Sequence, residues 1–139
     1  MFVLATNILS AMMAPNPAQE VAGFVSGQPA ELLFTASICQ AEILAGIAIL
    51  LEGRRRLGLE DAARAMFSED FERRVLPFDM EAALAYAEFF AARRRAGRPG
   101  AIADLMIAAV AYCRNASVVT RDTAGFEACG VAIVNPWNP

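Results

Sequence analysis

Apolar residues in this chain fall into two kinds of run. Short blocks without alternation, Phe2-Val3-Leu4, Leu32-Leu33-Phe34-Thr35, Ser117-Val118-Val119-Thr120 and Val131-Ala132-Ile133-Val134, have the length of buried strands. Between them, apolar positions recur at helical spacing. Ile8–Met13 reads as a short helix stopped by Pro15, and Pro17 opens a second to about Gln28, with Val21, Phe24 and Val25 on one face. Ser37 with Gln40 forms a capping-box pattern ahead of a helix from Ile38 to about Leu51. Residues 58–70 read as a polar-faced helix. Arg74–Phe78 is a brief extended piece, which Pro77 confines to a sheet edge or strand end. Asp79 caps a long helix to about Ala96, broken by Gly97, Pro99 and Gly100. Ala101–Arg114 is another helix, with Asn115 as its C′ residue.

Strands that do not alternate, separated by helices, predict a parallel sheet covered on both faces. The fold class is α/β, a three-layer sandwich with a mostly parallel central sheet. No repeat, low-complexity tract or linker divides the chain, so residues 1–139 are expected to form one domain.

Composition removes much chemistry. There are no histidines, and all twelve basic residues are arginine. Imidazole catalysis, lysine Schiff bases and a P-loop are therefore excluded. No GxGxxG follows a strand, against a Rossmann enzyme, and no DxD nucleophile motif supports a phosphatase. The net charge of −3 provides no general basic field for nucleic acid. Cys39, Cys113 and Cys129 are far apart and odd in number, which predicts buried free thiols in a reducing compartment. The apolar stretches Ile43–Leu51 and Leu105–Cys113 fall short of the roughly 20 residues a spanning helix needs. With no positive region near Met1, a cytoplasmic protein without membrane association is expected.

Most of the fifteen acidic residues lie among arginines or on polar helix faces. Three do not. Glu42 and Asp104 lie inside apolar segments, and Asp122 directly follows a strand. A carboxylate in an apolar segment is paired, binds a metal or becomes protonated. Each alone also reads as a helix-terminus charge or an arginine partner. Together, beyond the carboxyl ends of parallel strands, they suit a hard cation, Mg²⁺ or Mn²⁺.

The segments Phe2–Ser10, Gln40–Ile47 and Ala103–Ala109, with Thr120-Arg121-Asp122-Thr123, Phe126 and Val134–Trp137, resemble PIN-domain proteins. The likeness is to the VapC toxins, in particular the FitB-like branch, and it covers nearly the whole chain. It implies a metal-dependent endoribonuclease toxin of a type II toxin–antitoxin system, held by a VapB-type antitoxin. It also implies a homodimer, and DNA contact only through the antitoxin. The family's acidic cluster falls on position 5, Glu42, Asp104 and Asp122, as catalytic and metal-binding positions. Thr6 or Asn7 would hydrogen-bond the carboxylates or a metal-bound water, and Arg121 would steady an RNA phosphate or pair with an acid.

The likeness breaks at one position. The family motif opens Asp-Thr-Asn, and here it reads Ala5-Thr6-Asn7. Alanine offers a metal no oxygen, so the chain is expected to be an inactive or impaired nuclease, whether by engineering or as a natural pseudo-enzyme. The competing reading is a binding module that only captures an antitoxin. Arg54-Arg55-Arg56 and Arg93-Arg94-Arg95 with Arg98 are read as cationic helix C-termini, as RNA contacts, or as a docking point for the antitoxin. Tyr86, Phe89 and Phe90 are expected in the core or a dimer interface.

Overall fold

In the computed structural model, which describes residues Met1–Pro139, five short strands make one parallel sheet. They are β1 (Phe2–Leu4), β2 (Leu33–Ala36), β3 (Val75–Leu76), β4 (Ser117–Val119) and β5 (Ile133–Val134). Their order is β3-β2-β1-β4-β5, with Phe2 opposite both Leu33 and Ser117. Val3 and Leu4 point to opposite faces, yet both have no solvent exposure. That is why the strands read as unbroken apolar runs: both faces are covered.

Six helices flank the sheet. They are α1 (Thr6–Met13), α2 (Gln19–Ser26), α3 (Ser37–Ala48), α4 (Arg54–Ala65), α5 (Met80–Arg95) and α6 (Ile102–Cys113). α6 is apolar almost all round, and Leu105 and Ile107–Ala111 are all buried, so it lies in the core. Asp79 caps α5 as expected, its Oδ1 accepting from the Ala82 N–H at 2.9 Å. Asn115 takes the left-handed conformation that ends α6, at φ 57°.

Several expectations need correction. α2 starts at Gln19 rather than at Pro17. Ser37 does not cap α3; it is the first helical residue, and its hydroxyl accepts from the Phe78 N–H at 3.2 Å. That bond joins α3 to the segment after β3. The helix expected from residue 58 begins at Arg54, and a π-helical turn, Met66–Asp70, closes it. Arg54–Arg56 therefore open α4 instead of ending a helix, against the dipole's preference for anions there. The three thiols are free, but Cys113 is only half-buried. No helix is long and apolar enough to cross a membrane.

Candidate functional site at the carboxyl ends of the strands

From β1 the chain builds outward through β2 to β3, then returns to β4 on the other side of β1. The connections therefore diverge between β1 and β4, and such a switch point opens a crevice at the carboxyl edge. Ala5 sits at that point. Its N–H donates to the Val119 carbonyl at 2.9 Å, extending the β1–β4 pairing, and only 2% of its surface is exposed.

The residues after Ala5 reach to both sides. Thr6 Oγ1 donates to Glu42 Oε1 of α3 at 2.6 Å. Asn7 turns the other way. Its Nδ2 donates to Thr120 Oγ1 at 2.9 Å, and its Oδ1 accepts from the Arg121 N–H at 3.1 Å. Thr120, fully buried, also accepts from the Asp122 N–H at 3.1 Å. Asn7 and Thr120 thus hold the chain that presents Asp122. Of the two neighbours expected to bond a carboxylate or a metal-bound water, Thr6 bonds Glu42 and Asn7 holds the loop after β4.

Asp122 opens a short 3₁₀ turn, Thr123–Phe126, its Oδ1 accepting from the Gly125 N–H at 3.4 Å. Phe126 anchors the turn in the core. Gly125 shows how closely the carboxylates approach. A Cβ there would lie 2.6 Å from Asp104 Oδ2 and 3.2 Å from Asp122 Oδ2. The two acids converge over a position that only glycine leaves open. Burial raises the Asp104 pKa, and the charges of Asp122 and then Glu42 raise it further, while Arg93 opposes them. Burial and the like charge nearby therefore work against ionisation of Asp104.

Glu42 acts on Asp104 electrostatically, but no three acidic or thiol side chains gather closely around one point. Ala5, buried next to Thr6, contributes only a methyl. The donor set is all oxygen, which fits a hard divalent cation. Asp104 and Asp122 supply the converging pair, and Glu42 lies across the crevice, tied to Thr6. A groove of about 700 Å³ enters from the Glu42 side. It is floored by Met13, Ile43, Ile47 and Leu59 and rimmed by Arg54 and Arg55. The groove stops short of Asp104 and Asp122.

The arginines separate into distinct roles. Arg56 pairs with Glu60 at 2.8 Å, while Arg54 and Arg55 have no acidic partner. Arg121 pairs with no acid either; its guanidinium stacks 4.7 Å from the Trp137 ring centre, beside Asp122. Arg93 is buried, against both surface roles expected for its run. Phe89 packs edge-on against Tyr112, and Phe90 is partly exposed beneath Arg94. Thr120, Gly125 and Arg93 were not legible as site residues. A glycine three positions beyond a candidate acid and just before an apolar anchor was the one available signal.

Comparison with known proteins agrees with this geometry. The PIN domain family matches residues 2–130. Over 137 residues, 99% of both chains, the protein is 39% identical to a plasmid stability protein, StbB, of Pseudomonas syringae. It is 36% identical to the VapC ribonuclease Y4jK of Sinorhizobium fredii, over 100% of this chain and 99% of that one. The toxin FitB of Neisseria gonorrhoeae is 34% identical over 99% of each. A solved structure of FitAB bound to an IR36 DNA fragment superposes with a TM-score of 0.92 at 34% identity, covering 100% of this chain and 97% of that one. A parallel sheet with paired acids at its switch point, matched along its whole length by such relatives, places this chain in the PIN-domain family, among the VapC- and FitB-like toxins.

Proposed function

We propose that this chain is the toxin of a type II toxin–antitoxin pair, built as a Mg²⁺- or Mn²⁺-dependent endoribonuclease and disabled or impaired at Ala5. The observation that carries this reading is the meeting of Asp104 and Asp122 over Gly125, with Glu42 held by Thr6 across the crevice. Asp104 and Asp122 would hold the cation, with Glu42 contributing from the opposite wall. A bound cation supplies an activated water and a positive charge for the developing phosphorane. The remaining steps belong to the chain. Asn7 and Thr120 fix Asp122, Thr6 orients Glu42, and Arg121 on its Trp137 platform meets an RNA phosphate. Position 5 adjoins Thr6 at the β1–β4 junction, and alanine there would offer a cation no oxygen.

The partners follow from the surface. An antitoxin of the VapB type fits the groove between α1, α3 and α4, with an apolar segment on its floor and an acidic group against Arg54 and Arg55. Promoter DNA would be contacted by that antitoxin, since this acidic chain has no basic field of its own. A second copy would cover Met80 and Leu84, which stand four apart on α5 at 87% and 73% exposure. In this reading residues 1–139 act as one unit in the cytoplasm.

The test is RNA cleavage in Mg²⁺ and in Mn²⁺ by this chain and by its Ala5→Asp variant, on mixed tRNA and rRNA. Cleavage by the variant alone, abolished again by Glu42→Gln or Asp104→Asn, is the expected result. Silence from a folded, metal-bound Ala5→Asp protein would refute the nuclease reading and leave antitoxin capture as the function.

A further inference from the structure

Arg93 is the first of three consecutive arginines at the end of α5, and it alone turns inward, with 6% of its surface exposed. We infer that Arg93 is a positioning residue for the acidic pair, holding together the two segments that present Asp104 and Asp122. The inference rests on the nuclease reading above.

The contacts lie on two stretches of chain that are remote in sequence. Arg93 Nε donates to the Arg98 carbonyl at 2.7 Å, in the connection that leads into α6 and Asp104. Its Nη1 donates to the Ala124 carbonyl at 3.1 Å and the Glu127 carbonyl at 2.7 Å, in and after the turn that Asp122 opens. One rigid, planar group thus spans both segments, a geometry lysine cannot reproduce. Gly100 lies against it: a Cβ there would stand 3.4 Å from Nη2 and 3.2 Å from Leu105 Cδ2. The exposed pair Arg98–Glu127, 2.6 Å apart, links the same two stretches from outside, where an ion pair contributes little.

The charge matters as well as the hydrogen bonds. Every acceptor of Arg93 is a neutral carbonyl, and it belongs to no ion pair. A buried cation without a contacting anion is costly unless a nearby negative potential offsets it. Asp104 provides that potential, and the attraction between it and Arg93 is mutual. Preorganising ligands in this way is what supporting residues do around metal sites.

The test uses the full-length Ala5→Asp protein, titrated with Mn²⁺ alone by calorimetry, then assayed for kcat and KM on RNA at saturating Mn²⁺. Arg93→Gln is expected to weaken Mn²⁺ binding about 10- to 100-fold and to lower kcat more than it raises KM. Arg93→Lys, which keeps the charge and loses the planar group, is expected to recover part of that loss. Arg98→Gln, breaking only the outer pair, leaves Mn²⁺ affinity unchanged. A folded Arg93→Gln protein with a lower Tm but unaltered Mn²⁺ affinity and kcat would reduce Arg93 to a structural contact and overturn the inference. If that variant does not fold, Arg93→Lys carries the test, and unaltered Mn²⁺ affinity and kcat in folded Arg93→Lys overturn the inference equally, because the planar group is then not needed. Failure of the Ala5→Asp parent to bind Mn²⁺ or cut RNA would instead bring down the nuclease reading, and this inference with it.

Discussion

Replacing Gly125 by alanine sets two opposed effects against each other. No left-handed backbone is required at this position, so the substitution removes freedom from the unfolded chain, worth about 0.4–1 kcal/mol of stability. Against this, the new methyl would lie 2.6 Å from Asp104 Oδ2, where ordinary contact begins near 3.4 Å. Asp122 is exposed and can swing away, but Asp104 is half-buried on α6, whose backbone is fixed in the core. Overpacking of this kind costs about 1–3 kcal/mol, so the net change is a loss of about 0.5–2 kcal/mol. For a chain of this size that lowers Tm by roughly 2–8 °C. Gly23→Ala is the control. It lies inside α2 with nothing within 4 Å of the added methyl, so it should raise stability by roughly 0.5–1 kcal/mol. Thermal unfolding of both variants, with Mn²⁺ titration in the Ala5→Asp background, decides the matter. Gly125→Ala should lose both Tm and Mn²⁺ affinity. If it gains stability as Gly23→Ala does and binds Mn²⁺ unchanged, the two carboxylates do not meet over residue 125.

The raised pKa of Asp104 carries a sign. A carboxyl group that binds its proton more tightly when folded adds stability below the ordinary carboxylate range, and that contribution is lost as pH rises through its raised folded value. Asp104→Asn should therefore raise Tm at about pH 7, with the gain shrinking towards about pH 3, and a gain independent of pH would refute it. Asn7→Ala removes the bonds to Thr120 and Arg121 and should cost about 1–3 kcal/mol in urea unfolding, with faster exchange of the Arg121 amide. Normal protection of that amide would mean the loop after β4 is held by something else. Met80→Glu with Leu84→Glu should shift sedimentation to a monomer if α5 carries the interface, while leaving Tm of the monomer little changed because both side chains are exposed.

What was legible in the residues followed from burial. Strands covered on both faces leave unbroken apolar runs, so the parallel sheet was readable; apolar neighbours marked Glu42 and Asp104, and a place directly after a strand marked Asp122. Strand order was not readable, since nothing in Phe2–Leu4 says that both β2 and β4 flank it. α4 was misplaced because three arginines suit the end of a helix better than its start, and here they open one. Arg93, Arg94 and Arg95 look alike in one dimension. Only the α5 face turned towards the 123–127 segment makes one of them a buried cation, and that is a tertiary fact. Gly125 escaped notice for a similar reason: its role is defined by two side chains contributed from elsewhere.

The register of β1 also bears on when the crevice can form during synthesis. Its residues pair directly with Ser117–Val119, more than a hundred positions further along the chain. At roughly 5–20 residues per second, the first strand leaves the ribosome several seconds or more before its inner neighbour exists. Until then position 5 has no Val119 to bond, and Asp122 has not been made. Chains that stop short of Val119 therefore lack both the Ala5–Val119 bond and Asp122. In a chain related to a VapC ribonuclease, the crevice is thus completed only once the last strands have been made.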